Sequence, residues 1–301
     1  MIDINDYKKP EYILDQESLE LALAELHNIK KILLNNSDNE IVLNGFIITD
    51  IISTMFQALR NVFSNILKNK MFSFNVNKSE FKIFYSSNTK KIQRVLSLPW
   101  ESISDIEVDF PRGMKTDYLT VINNINSTYN ILNMKDTSNN IVRILTDIFT
   151  DLVKLNKLSN IVDNNQINAL DDKINRCDKL VSKNFEDKRT FTKPLKKLFK
   201  DNNDLKLVTN DLLTMEQNIL NVTTIFDNMK KCENKCDDII NKLEVMEDKD
   251  IDKTILANLS DYVKNIAGLF ESYSVNVTTH TVIEHNMIYV IKELGVKNKI
   301  F

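Results

Sequence analysis

Residues 205–247 read LKLVTNDLLTMEQNILNVTTIFDNMKKCENKCDDIINKLEVME. Apolar side chains recur at Leu205, Val208, Leu212, Met215, Ile219, Val222, Phe226, Met229, Cys236, Ile240 and Leu243, in steps that alternate between three and four residues. Of thirteen such positions only Glu233 and Glu247 are polar. Alternating threes and fours keep one narrow stripe on one side of an α-helix, which is the seam of a coiled coil. At about 1.5 Å per residue this helix would be longer than about 60 Å. The stretch sets the fold class as all-α.

On its C-terminal side the acidic run 247–252 is expected to reverse the chain. Ile255, Leu259, Tyr262, Ile266, Leu269 and Tyr273 then repeat the stripe and are expected to pack back antiparallel. Upstream, Ile167, Leu170, Ile174, Cys177 and Val181 form a third stripe, separated from the first by a basic break with Pro194. The pattern predicts a three-helix antiparallel coiled coil over about residues 160–274. A terminal helix is expected over Thr281–Leu294, closed by Gly295 in the residue position that favours left-handed backbone.

The N-terminal half has broader stripes. A helix is expected over 16–35, capped by Asp15. The segment 45–69 is the most apolar in the chain, with Ile47, Ile48, Ile51, Ile52, Met55, Phe56, Leu59, Val62, Phe63 and Ile66, and reads as a helix buried on two sides. Phe72, Phe74 and Val76 alternate like a short strand or connector. Further helices are expected over 79–96, 115–134 and 137–158. Pro99 stops the first of these and opens a short turn through Trp100 and Ile103. The run Asp109-Phe110-Pro111-Arg112-Gly113-Met114 has turn spacing and marks a break. The division expected is a helical N-terminal domain, 1–158, and the antiparallel bundle with its terminal helix, 159–301.

Composition narrows the chemistry. Four Gly and four Pro in 301 residues lie well below the usual shares of roughly 7% and 5%. Phosphate-cradling loops and nucleophile elbows need glycine, and no such motif is present. A net charge of −3 is neither the bulk basicity of a nucleic-acid binder nor an acidic tail. Three Cys fit a reducing compartment, and the start MIDINDYKKPEYILDQ has no signal-peptide pattern, so the expected location is cytoplasmic rather than secreted.

Few residues suggest a site. Cys232 and Cys236 are one helical turn apart, but a tetrahedral metal needs two further ligands, and Cys236 falls on the seam. His280 and His285 flank Glu284 without the four-residue spacing of a zinc helix, and read as surface or packing residues. Lys193, Lys196, Lys197 and Lys200, interleaved with Phe191, Leu198 and Phe199, offer phosphate contacts or a solvated hairpin tip. The polar face of 45–68 holds Ser, Thr, Gln and Asn rather than Lys and Arg, which argues against a membrane surface. No catalytic residue, metal, cofactor or small-molecule substrate is expected.

The 39 Asn, 35 Ile and 33 Lys against 6 Arg have A/T-rich codons. With the glycine poverty and the order of apolar helices, D-F-P-R-G-M turn and coiled-coil part, the chain resembles the helical structural proteins of large tailed bacteriophages. That resemblance implies a non-enzymatic virion component whose partners are itself and other virion proteins. The expected interface residues are Ile47, Ile48, Ile51, Phe56 and Phe63 in the apolar helix and Leu212, Ile219, Phe226 and Leu243 on the seam. Because the returning helix can cover the seam, inter-subunit contact is expected chiefly in the N-terminal half, with the rod as spacer. The alternative is a nucleic-acid-associated or regulatory binding protein that uses Lys193, Lys196, Lys197 and Lys200.

Overall fold

Three polar side chains open helices where the sequence offers them. Ser79 Oγ accepts the Lys82 N–H at 3.1 Å, and Asp117 Oδ1 accepts that of Thr120 at 2.9 Å. Asp201 Oδ1 accepts the amides of Asn203 and Asp204 at 2.7 and 3.0 Å. Each bond satisfies first-turn amides that have no partner inside the helix.

The computed structural model describes residues 48–68, 79–110, 113–114, 117–155, 158, 164–181, 185–187, 191–246 and 255–301, with scattered positions between 21 and 28. The helices are α1 (Ile48–Lys68), α2 (Glu80–Val95), α3 (Trp100–Ile103), α4 (Tyr118–Leu132), α5 (Met134–Lys154), α6 (Asn164–Val181), α7 (Asn202–Thr214), α8 (Glu216–Leu243) and α9 (Ile255–Lys297). The fold is all-α in class. The helix expected over 16–35 lies almost entirely outside the described residues, as do the alternating stretch 72–76 and the acidic run 247–252.

Among the described residues four short strands depart from the helical expectation: β1 (Glu107–Phe110), β2 (Gly113–Met114), β3 (Phe185–Asp187) and β4 (Phe191–Pro194). β1 pairs antiparallel with β4, setting Phe110 opposite Phe191 and Val108 opposite Lys193, and β2 pairs with β3. The D-F-P-R-G-M run therefore lies in strands flanking residues 111–112, tied to a segment far along the chain.

The seam helix is interrupted. Met215 ends α7 and precedes α8. The two pieces follow different partners: α7 packs on α4 and α2, whereas α8 packs on α1 and α5. The returning helix α9 packs instead on α6, α1, α2 and α4. Extensive packing of α8 thus crosses the 158/159 boundary expected from sequence, and buried residues of both halves belong to one core. Because α1 and α5 flank α8 from two sides, its fully buried row is Val222, Ile225, Met229, Cys232, Cys236, Ile239 and Leu243. Phe226 and Glu233 are shifted to the half-buried edge, where Lys230 Nζ stands 4.5 Å from the Phe226 ring centroid. Asn228 ties α8 to α5 by donating to Ser138 Oγ and Asn139 Oδ1 at 2.9 and 2.8 Å. Arg60 Nε meets Asp237 Oδ1 at 2.7 Å across α1 and α8.

The joint between α4 and α5 is a single residue, Asn133, at φ 41°. Lys173 from α6 donates to the Leu132 carbonyl at 3.2 Å and to Thr137 Oγ1 at 2.8 Å, satisfying a helix-end carbonyl.

α9 has 43 residues, about 65 Å of helix. It absorbs the separate terminal helix that the sequence suggested over Thr281–Leu294, and Gly295 does not end it. Gly295 lies inside the last turns because the chain folds back there. Lys299 takes φ 55°, the Ile300 N–H donates to the Gly295 carbonyl at 2.7 Å, and the Phe301 ring occupies the space a Cβ on Gly295 would take. Gly295→Ala would otherwise stabilise a helix interior by up to about 1 kcal/mol. Here it is expected to gain nothing in stability and to expel the Phe301 ring, read as faster hydrogen exchange at Ile300 and Phe301.

Candidate functional site

The middle of α9 reads YSVNVTTHTVIEHN, residues 273–286. Polar residues here fall on every side of the helix, and nearly all are buried; α4 and the start of α2 bond along this stretch, and α1 and α6 meet α9 just before it. Burial of unbonded polar groups is costly, and local bonds meet part of the demand. Thr279 and Thr281 donate to the carbonyls of Val275 and Val277 at 2.8 and 3.0 Å. Asn276 donates to the Ile125 carbonyl at 3.2 Å, and Asn286 to Tyr118 Oη at 3.0 Å.

The densest part joins three helices. Ser79 Oγ donates to Glu284 Oε1 at 2.6 Å. The same carboxylate oxygen lies 3.7 Å from His280 Nε2, and His280 Nδ1 lies 3.2 Å from Tyr129 Oη. One residue further along, His285 Nε2 meets Glu80 Oε2 at 3.0 Å. Burial pushes the His280 pKa down to about 4 and raises that of Tyr129 well above the usual phenol range. Glu80 is held below the usual carboxylate range, chiefly by its hydrogen bond from His285.

Serine, histidine and a carboxylate invite comparison with a nucleophilic triad, but the order is different. A triad needs the hydroxyl bonded to the imidazole and the imidazole to the acid. Here Ser79 Oγ donates to Glu284 and accepts from the Lys82 amide, so its hydroxyl is committed to a helix start and to the acid. Glu284 and His280 are both 1% exposed. What the arrangement does is pin the start of α2 and the side of α4 onto α9.

His280 gives a pH signature. Its folded pKa of about 4 lies below the unfolded value of about 6.5, so the unfolded chain binds a proton that the folded chain does not. This contribution is full above about pH 6.5 and is lost as pH falls toward 4. Over that window the chain is expected to lose about 3 kcal/mol, because a tenfold difference in proton affinity between the two states is worth about 1.4 kcal/mol. Urea unfolding at several pH values should show it, and His280→Gln should flatten the slope.

The residues singled out from sequence fall elsewhere. Ile51, Phe56, Phe63, Leu212 and Leu243 are buried by other helices of the same chain, and Phe226 is half-buried. Ile47 and the side chains of Ile48 and Ile219 lie outside the described residues. The lysine cluster follows β4 and the turn after it. Lys193 is half-buried, Lys196 Nζ lies 2.5 Å from Asp105 Oδ1, and Lys197 and Lys200 are exposed. The Lys200 amide donates to Asp204 Oδ2 at 3.0 Å, so carboxylates are interspersed with this cluster. The thiols of Cys177, Cys232 and Cys236 are buried, and burial pushes Cys177 up to about 11 and Cys232 up to about 12. Among the described residues no group of three or more His, Cys, Asp or Glu is arranged to hold a metal.

From sequence, His280 and His285 stand apart from any cluster, and 281–294 reads as a separate helix. The available signal was the polar run itself, whose residues occupy every phase of a helix whose apolar neighbours are equally evenly spread. No helix among the described residues is long and apolar enough to cross a membrane. No family model, no curated protein and no solved structure matches the chain.

Proposed function

We propose that this chain is a non-enzymatic structural or assembly protein that acts through helix–helix contacts, and that it is a component of a phage virion. The observation that carries the reading is the enclosure of its most reactive-looking cluster: Ser79, Tyr129, His280 and Glu284 are buried, with Ser79 bonded to Glu284 and Tyr129 to His280. Such a cluster fixes helices in place without offering a substrate access. The surfaces left for partners are helix faces and ends. Val153 and Leu155, at the end of α5, and Val245, just past α8, are 52%, 60% and 75% exposed. The two helices run in the same direction, since Asn228 meets Ser138 and Lys235 stands over Phe149. Their exposed apolar ends therefore lie at one end of the molecule, which suits contact with another copy or a neighbouring virion protein.

Sedimentation velocity of the full chain, alone and with other particle proteins, tests this reading, together with mass spectrometry of purified particles. The expected result is a defined assembly that Leu155→Asp with Val245→Asp dissociates without loss of helix content. A chain that stays a compact monomer in every mixture and is missing from particles contradicts it.

A further inference from the structure

Helix α2 and the last turns of α9 run side by side in the same direction. Glu80 lies against His285, Lys292 Nζ stands 5.4 Å from the Phe84 ring centroid, and Lys91 Nζ stands 5.2 Å from that of Phe301. The Phe84 and Phe301 rings stack at 6.2 Å. Positive charge is concentrated along this pair. Residues 81–99 carry Lys82, Lys90, Lys91 and Arg94 and no carboxylate. Residues 286–301 carry Lys292, Lys297 and Lys299 against Glu293 alone among their side chains, and Glu293 Oε1 is held by Lys297 at 2.8 Å. All of these cations except the half-buried Lys292 are exposed. The chain as a whole has a net charge of −3, so the rest of it is acidic and this face is set apart.

Six exposed cations and the half-buried Lys292, set against the carboxylates of Glu293 and Glu80, leave this pair of helices net positive, and a polyanion relieves the repulsion among the cations. Lys82 to Arg94, with a kink at Asn88 between them, spans at most about 18 Å of helix axis, a length that reaches a few phosphates of one strand. The apolar side of α2 is already used: Phe81, Ile92 and Val95 are fully buried against the core. On this pair of helices the exposed large apolar residues are Ile83, Tyr289 and Val296. Three side chains, one of them a tyrosine, do not make the continuous apolar band that an interfacial helix sinks into a bilayer. The Phe84 and Phe301 rings are stacked on each other beneath lysines and are not presented as platforms for bases, while Tyr289 is 38% exposed.

We propose that the outer face of α2, with the end of α9 beside it, binds the phosphate backbone of a nucleic acid without reading its bases. This places polyanion contact on Lys82, Lys90, Lys91, Arg94, Lys297 and Lys299 rather than on the lysines that follow β4, where Asp105 and Asp204 intervene. It is independent of the assembly reading: a chain that fails to assemble can still bind DNA, and the reverse.

The test is fluorescence anisotropy of the full chain with a labelled DNA duplex of about 30 base pairs, at about 50 and 200 mM salt, the range over which phosphate contacts are most salt-sensitive. The wild-type chain is expected to bind at the lower salt and to weaken steeply at the higher. Lys82→Glu with Lys90→Glu and Arg94→Glu should weaken binding more than about tenfold at the lower salt. It should also flatten the slope of log affinity against log salt by about 2–3, at about 0.9 per lost phosphate contact. Lys196→Glu with Lys197→Glu should change affinity less than about twofold. Helix content by circular dichroism checks folding, and the milder Lys82→Gln, Lys90→Gln, Arg94→Gln set replaces the reversal if that variant unfolds. The proposal is overturned if the wild-type chain does not bind the duplex, or if the α2 variants bind as tightly as wild type. It is also overturned if the Lys196 and Lys197 variant loses as much, or if the chain binds phosphatidylserine vesicles and not DNA.

Discussion

Replacing Phe63 by alanine is expected to cost about 3–5 kcal/mol of folding stability, the range for truncating a large buried aromatic. Phe63 is fully buried where α1 meets α9, and its ring packs edge-on to Phe270 with centroids 5.0 Å apart. The surrounding wall is helical on two sides, since α1 is flanked by α8 and α9, so it can close only partly around the lost ring. Chemical denaturation should show the loss at every protein concentration. A residue that mainly joined subunits would behave differently: Phe63→Ala would then change the sedimentation coefficient and leave the unfolding midpoint of the monomer where it was.

A second large effect is expected at Ser79. Its hydroxyl closes the first turn of α2 and also donates to the buried Glu284. Ser79→Ala removes a cap worth about 0.5–2 kcal/mol and a hydrogen bond to an acid, worth about 1.5–3 kcal/mol. The two share one atom and do not simply add, so a loss of about 2–4 kcal/mol is expected from urea unfolding. Ser79→Thr keeps the hydroxyl and should recover most of it. If alanine and threonine cost the same, the hydroxyl is not what holds α2 to α9.

Much of the fold could be read from apolar spacing, and the reasons it could not all be read are local. Ile52, Met55, Leu59, Val62 and Ile66 repeat at helical intervals, and α1 follows them; the width of the stripe matches burial on two sides. The seam of α8 told which side is buried but not by what. A stripe is compatible with any apolar partner, and α1 and α5 take the place that an antiparallel return would have had. Flanking on both sides then moved the buried row from Phe226 and Glu233 to Ile225 and Cys232. β1 and β4 were missed because four residues carry almost no periodicity and the pairing joins Glu107 to Pro194. Such pairing is decided by tertiary context more than by intrinsic preference.

The polar cluster was harder still. Ser79 and Glu284 are 205 residues apart, and Tyr129 and His280 are 151 apart. In sequence each is an ordinary polar residue. Only the packing of α4 and the start of α2 against α9 gives Glu284, His280 and their partners a shared role, and that packing depends on the stripes being placed first. The basic face of α2 was legible in principle, since 81–99 holds no carboxylate, but its continuation onto the end of α9 needed the two helices side by side.

The packing makes α9 a sealed core helix whose polar residues hold its neighbours in place, and native-state hydrogen exchange is the decisive measurement for that role. The amides of residues 272–291 are expected to be among the slowest in the chain, with opening free energies close to that of global unfolding, as for core elements generally. Exchange there as fast as on the exposed side of α2, while the rest of the core stays protected, would mean that His280 and Glu284 meet solvent in the native state, and α9 would then not be a sealed core helix.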